Sequence, residues 1–232
     1  MALVDSLRRF CSNGHFLNAS WHEQLGMAGN NPSILGFIVK HMLLSAISAY
    51  GCPLASTKLE SEDAFKDSAP IRMYLDDFPE LSPPPLGSPA DKEAPATQLF
   101  VPESHRCRYI DGILVHWNVK DKSVTIAPMQ ITIATSHSPS DVLFMEKHWR
   151  GMVAHLSEWK INARFLWIKA TRNGPIKVTK VPAKVSPGTR GAGAKHLHPP
   201  YDVVTLTVSE VDIRIGDKLR AARALSATAA KF

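Results

Sequence analysis

The chain has 232 residues, 44% apolar and 21% charged, with a formal net charge of +6. That length supports one sizeable core, and the composition is that of an ordinary globular protein rather than a disordered or fibrous one. Cys11, Cys52 and Cys107 are odd in number, far apart and in no CxxC spacing, which argues against a disulfide framework or cysteine zinc site and fits a reducing, intracellular compartment, nucleus or cytoplasm.

No apolar run reads as long enough to span a bilayer, and Met1 to Phe10 lacks the apolar core of a signal peptide. No membrane partner is expected. Gly26 to Asn31 reads as a boundary, setting residues 1–31 apart as an N-terminal extension from a domain over 32–228. Ser33 is a good N-cap for a helix that carries Ile34, Leu35, Ile38, Met42, Ile47 and Tyr50 at helical spacing and stops at Gly51. Leu43, Leu44 and Ala46 widen its apolar face, so the helix is expected to be buried on most sides. Residues 55–96 form an acidic, Pro- and Ser-rich loop, with nine acids against four bases between Ala55 and Pro95.

Leu99 to Pro102 is a short strand candidate. Two stronger ones follow, Tyr109 to Val115 and Val124 to Ala134, separated by a polar turn over Asn118 to Ser123. Each carries one metal-capable polar residue, Asp111 or Gln130. Neighbouring strands can aim a carboxylate and an amide oxygen at one spot, as a two-strand divalent-metal site requires. Two alternatives stand beside this. Asp111-Gly112 is also a hairpin-turn dipeptide, and Gln130 could instead be a mid-strand polar residue facing water, with Pro128 before it suiting a strand edge or bulge.

Ser138 to Asp141 caps a second amphipathic helix, with Val142, Met145, Trp149, Met152, Val153, Leu156 and Trp159 along one face. Arg164 to Ile168 and Val203 to Val208 are the next strands, and a last helix spans about 217–225. Between those strands lies a basic loop, 169–200, with seven cations and no acid: Lys169, Arg172, Lys177, Lys180, Lys184, Arg190 and Lys195. It reads either as a solvated surface loop or as a contact to nucleic acid phosphates, DNA or RNA, with steep salt dependence. Strand, crossover helix and strand imply a parallel pair. The expected fold is α/β, a small mixed β-sheet flanked by helices.

The helix, the strand Ile110-Asp-Gly-Ile-Leu114 and the segment Pro128-Met-Gln-Ile-Thr-Ile-Ala-Thr-Ser-His137 together resemble a known domain. It is the restriction-endonuclease-like domain, of the PD-(D/E)xK nuclease superfamily, at the C-terminal end of fungal and oomycete Crinkler and retrotransposon-hot-spot-type proteins. The likeness covers about residues 32–210, with agreement in four short blocks. It implies a restriction-endonuclease-like core and Mg²⁺-assisted phosphodiester hydrolysis, with Asp111 and Gln130 as metal ligands and His137 as an auxiliary catalytic group. Where the family helix carries a metal-binding Glu, this chain has Lys40. Thr132, and then Thr135, stand where a Lys is expected, so that Lys147 or a residue of the basic segment would have to take its place.

These departures count against cutting. Mg²⁺ is usually held by one or two carboxylates plus waters and substrate phosphate, and it must lower the pKa of the attacking water. Asp111 with a neutral amide is a weak site, and Lys40 would repel the ion or pair with Asp111. The sequence thus predicts a nucleic-acid-binding domain that is a degenerate or weak nuclease. The alternative is a non-catalytic module that binds a protein partner on the same fold. His148 and His155, seven apart, read as surface histidines rather than a metal pair.

Overall fold

Apolar residues alternating between two faces build the central layer of the computed structural model, which describes residues 18–28, 31–52, 71–74, 81, 96–102, 109–134, 139–172, 176–186 and 195–229. In chain order the elements are α1 (Ala19–Met27), α2 (Pro32–Tyr50), β1 (Ile71–Tyr74), β2 (Ala96–Pro102), β3 (Gly112–Asn118) and β4 (Ser123–Thr132). They continue with α3 (Ser140–Lys147), α4 (Trp149–Met152), β5 (Lys160–Lys169), β6 (Lys177–Val181), β7 (Lys184–Ser186), β8 (Lys195–His198), β9 (Tyr201–Thr207), α5 (Val208–Val211) and α6 (Ile213–Ala229). Seven strands form one mixed sheet in the order β1-β2-β3-β4-β5-β9-β6, and β7 pairs with β8 alone. β4, β5 and β9 run parallel, while β3 and β6 are antiparallel to their neighbours. The chain is therefore an α/β fold, a mixed sheet flanked by helices.

The pleat sorts the core into two layers. Leu114, Ala127, Met129, Ile131, Leu166, Ile168, Val204 and Leu206 face α1, α2 and α6. Val115, Trp117, Ile126, Phe165 and Trp167 face α3 and α4, where Phe144, Met145, Trp149 and Met152 meet them. Fully burying one such aliphatic side chain is worth about 1.5–3 kcal/mol, so the two layers fix which face each strand residue takes.

α2 starts two residues earlier than an N-cap at Ser33 suggests. Asn31 is its N-cap, its side chain accepting from the N–H groups of Ser33 and Ile34, and Pro32 takes the first turn, where a missing N–H costs nothing. It ends at Gly51, whose φ of 78° is a conformation that favours glycine. By length and composition α2 is apolar enough to cross a membrane, against the expectation that no run reaches that length. Here Leu35, Ile38, Val39 and the run from Met42 to Ser48 are buried in the fold.

Four expectations need correction. α1, within the stretch set apart as an extension, packs on α6 and α2 and places Leu25 in the core. The helix after Pro139 stops at Lys147, and a separate turn of helix ends at Met152, so Trp159 and His155 are not on it. In its described residues the basic 169–200 segment holds β6, β7 and β8 where a loop was expected. The last helix starts at Ile213, not 217. The acidic 55–96 segment lies largely outside the described residues.

Candidate functional site

Asp111 sits where β3 begins, and it does not turn the chain. The hairpin turn is at 119–122, with Lys122 at φ 45° and the Asn118 side chain accepting from the Asp121 N–H. The Asp111 N–H donates to the Met129 carbonyl at 2.8 Å, although Met129 is already the ladder partner of Gly112. Two residues thus oppose one, the pattern of a bulge. Gly112 fits a tight place here: a Cβ would lie 3.3 Å from both Leu44 Cδ2 and the Phe100 carbonyl oxygen, so a neighbour would have to give by a few tenths of an ångström.

The bulge aims the Asp111 carboxylate at the end of β4. Its Oδ2 accepts from the Ile131 N–H at 2.7 Å, so a side chain continues the ladder where the backbone peels away. Its Oδ1 lies 2.7 Å from Lys40 Nζ, with 14% and 13% of the Lys40 and Asp111 side chains exposed. Lys40 reaches this point because it stands one helical turn after Gly36, on the face of α2 that meets Ile133. One carboxylate oxygen is in an ion pair and the other in a backbone hydrogen bond. A divalent cation does not fit this arrangement, because the ammonium holds the place a hard cation would take.

Gln130 is turned the other way. Met129 and Ile131 on either side face α2, so Gln130 extends to the α3 face, where its neighbour across the ladder is Trp167. Its Oε1 is buried with no hydrogen-bond partner. His137 and Thr135 lie outside the described residues, as does Arg190. Among the described residues no group of three or more His, Cys, Asp or Glu side chains is placed to hold a metal ion. Lys147 donates to the Tyr109 hydroxyl at 2.9 Å and does not stand beside Asp111. A lysine does stand beside Thr132, since Lys169 is its partner across the β4–β5 ladder.

The basic segment divides into unlike parts. Lys169 ends β5 with Nζ 5.3 Å from the Trp167 ring centroid, a cation–π contact. Arg172 forms a forked pair with Glu210, at 2.6 and 3.0 Å, and also donates to the Thr205 carbonyl at 2.6 Å. Lys177 and Lys180 are exposed on the edge strand β6, opposite Thr205 and Asp202. Lysines on an edge also discourage strand-to-strand aggregation. Lys184 pairs with Glu146 at 2.5 Å, and Lys195 opens β8 opposite Ser186.

Glu210 explains why Arg172 is structural. Burial works to raise its carboxyl, but the Thr207 N–H, Arg172 and the Thr207 hydroxyl outweigh that and hold it below the usual carboxylate range. With Thr207 it completes a capping box at α5. Sequence reasoning missed this pair, and also Arg223 of α6, which donates to the Ile133 carbonyl. The Thr207-Val-Ser-Glu210 spacing was a legible capping signal; nothing marked Arg223. No protein-family model matches the chain, and no curated protein and no solved structure matches it.

Proposed function

We propose that the chain is a nucleic-acid-binding domain on a restriction-endonuclease-like core in which metal-dependent cutting has lapsed. The observation that carries this reading is the Lys40–Asp111 pair: the one acid of the expected metal site is held by an ammonium at 2.7 Å. A buried core helix, an antiparallel hairpin, a crossover of short helices and a parallel strand, in that order, support the kinship of the core. Lys177 and Lys180 on an edge strand support binding to phosphates, where each contact adds to affinity and to its salt dependence.

The test combines Mg²⁺- and Mn²⁺-dependent cleavage of single- and double-stranded DNA and RNA with binding in EDTA. Binding that persists in EDTA and weakens with salt, without cleavage, is the expected result. With two or three phosphate contacts, the slope of log affinity against log salt should be about −2 to −3. Metal-dependent cleavage that disappears in Asp111→Asn would overturn the proposal. Lys40→Glu, which sets a second carboxylate beside Asp111, should raise Mn²⁺ affinity in calorimetry; no gain would count against aligning Lys40 with the family carboxylate.

A further inference from the structure

The carboxyl ends of the parallel strands β4, β5 and β9 lie at one edge of the sheet, the place where open α/β sheets take their ligands. A cleft of about 510 Å³ opens there, within the roughly 300–1,000 Å³ of small-molecule sites. The ladder registers explain what it presents. Gln130, Trp167, Thr205 and Lys177 stand in one row across four strands, and Thr132 and Lys169 in the next row on the same face. Lys169, Arg172, Lys177 and Arg223 line the cleft together with Thr179 and Thr205, and among the described residues no carboxylate does.

The charges in this cleft are not equivalent. Arg172 is held by Glu210, so it forms a fixed wall of the cleft. Lys169 rests over an aromatic face, and Arg223 donates to a carbonyl oxygen. Both contacts orient a cation without neutralising it. Lys177 makes no ion pair among the described residues. Three like charges gathered at one cleft repel one another, and a bound anion relieves that repulsion. A phosphate group suits the remaining features. It carries more than one negative charge, and its several acceptor oxygens can take ammonium, guanidinium and threonine hydroxyl donors together.

We propose that this cleft is a phosphate-binding site, with Lys169, Lys177 and Arg223 supplying charge and Thr179 and Thr205 supplying hydroxyl donors. The source of the phosphate, a strand backbone rather than a free phosphate compound, rests on the nucleic-acid reading; the site itself does not.

The experiment is fluorescence anisotropy of a labelled single-stranded oligonucleotide, with calorimetry of inorganic pyrophosphate, on the full chain and two variants. Lys177→Glu reverses an exposed cleft charge. Lys120→Glu reverses an exposed charge at the β3–β4 turn, at the opposite end of those strands. Circular dichroism verifies that both fold. Lys177→Glu should weaken the oligonucleotide about tenfold and Lys120→Glu less than about twofold, with pyrophosphate competing for the oligonucleotide. Pyrophosphate binding that is lost in Lys177→Glu, with no oligonucleotide binding, would keep the cleft and remove the nucleic-acid reading. Oligonucleotide binding that is unchanged by Lys177→Glu and indifferent to pyrophosphate would overturn the cleft while leaving that reading intact. Binding of neither probe would overturn both.

Discussion

On one flank of the end of β4, Lys40 meets Asp111 and both side chains are nearly covered. On the other flank, Lys169, Lys177 and Arg223 gather in a cleft that no carboxylate among the described residues lines. The same strand end thus separates a cation that holds the fold together from cations that remain to meet something else. A partnered charge in low dielectric is hard to remove, whereas an unpartnered one near solvent changes the local potential and little else. Arg172 lies in the cleft but belongs with Lys40, because Glu210 holds it. Proximity to the cleft is therefore a poorer guide to role than the identity of each cation's partner.

The sharpest way to break this comparison is Lys40→Met. It strands a largely covered carboxylate, and a loss of about 3 kcal/mol is expected from urea unfolding. Adding Asp111→Asn should recover much of that loss, since the amide oxygen can still accept from Ile131. A double variant as unstable as the single one would mean the pair is not coupled.

Arg172→Ala should cost less, about 1–2 kcal/mol, because the pair is partly exposed and Thr207 still serves Glu210. If Arg172 is structural, its loss lowers stability more than oligonucleotide affinity; the reverse outcome would move it into the phosphate contacts. The Glu210 pair also predicts a pH signature. Its folded carboxyl is held low, so its contribution is full above the unfolded value of about 4.3 and fades as pH falls through the folded value. The stability gap between the parent chain and Glu210→Gln should close in that acid window. A gap that widened there would contradict the sign. The smallest effect on stability belongs to Lys177→Glu, within about 0.5 kcal/mol on an exposed edge. A larger loss would make Lys177 part of the fold instead.

Much of the fold was legible because the pattern was dense. The β3–β4 hairpin, β5, β9 and the body of α2 each carry an apolar period that only one element satisfies. The break after Lys147 was not legible, since Trp149, Met152 and Leu156 keep a helical period although the helix has ended, and all three are buried just the same. β6 was hidden by its lysines: an edge strand with one ladder needs little apolar alternation, so Lys177 to Val181 resembles a solvated loop. At the candidate site, sequence spacing put Asp111 near Gln130 along the hairpin. Side-chain direction was beyond it, because a bulge at Asp111 shifts one carboxylate out of the regular alternation. Arg223 is far along the chain and reaches the site only through the docking of α6.

That docking ties the two described ends of the fold together. α1 lies on α6, and α2 is flanked by α5 and α6, so the long apolar helix finishes its burial only against elements that come much later in the chain. Until then α2 would stay an adhesive surface on a growing chain. Trimming α6 should therefore cause aggregation during synthesis rather than a modest fall in melting temperature.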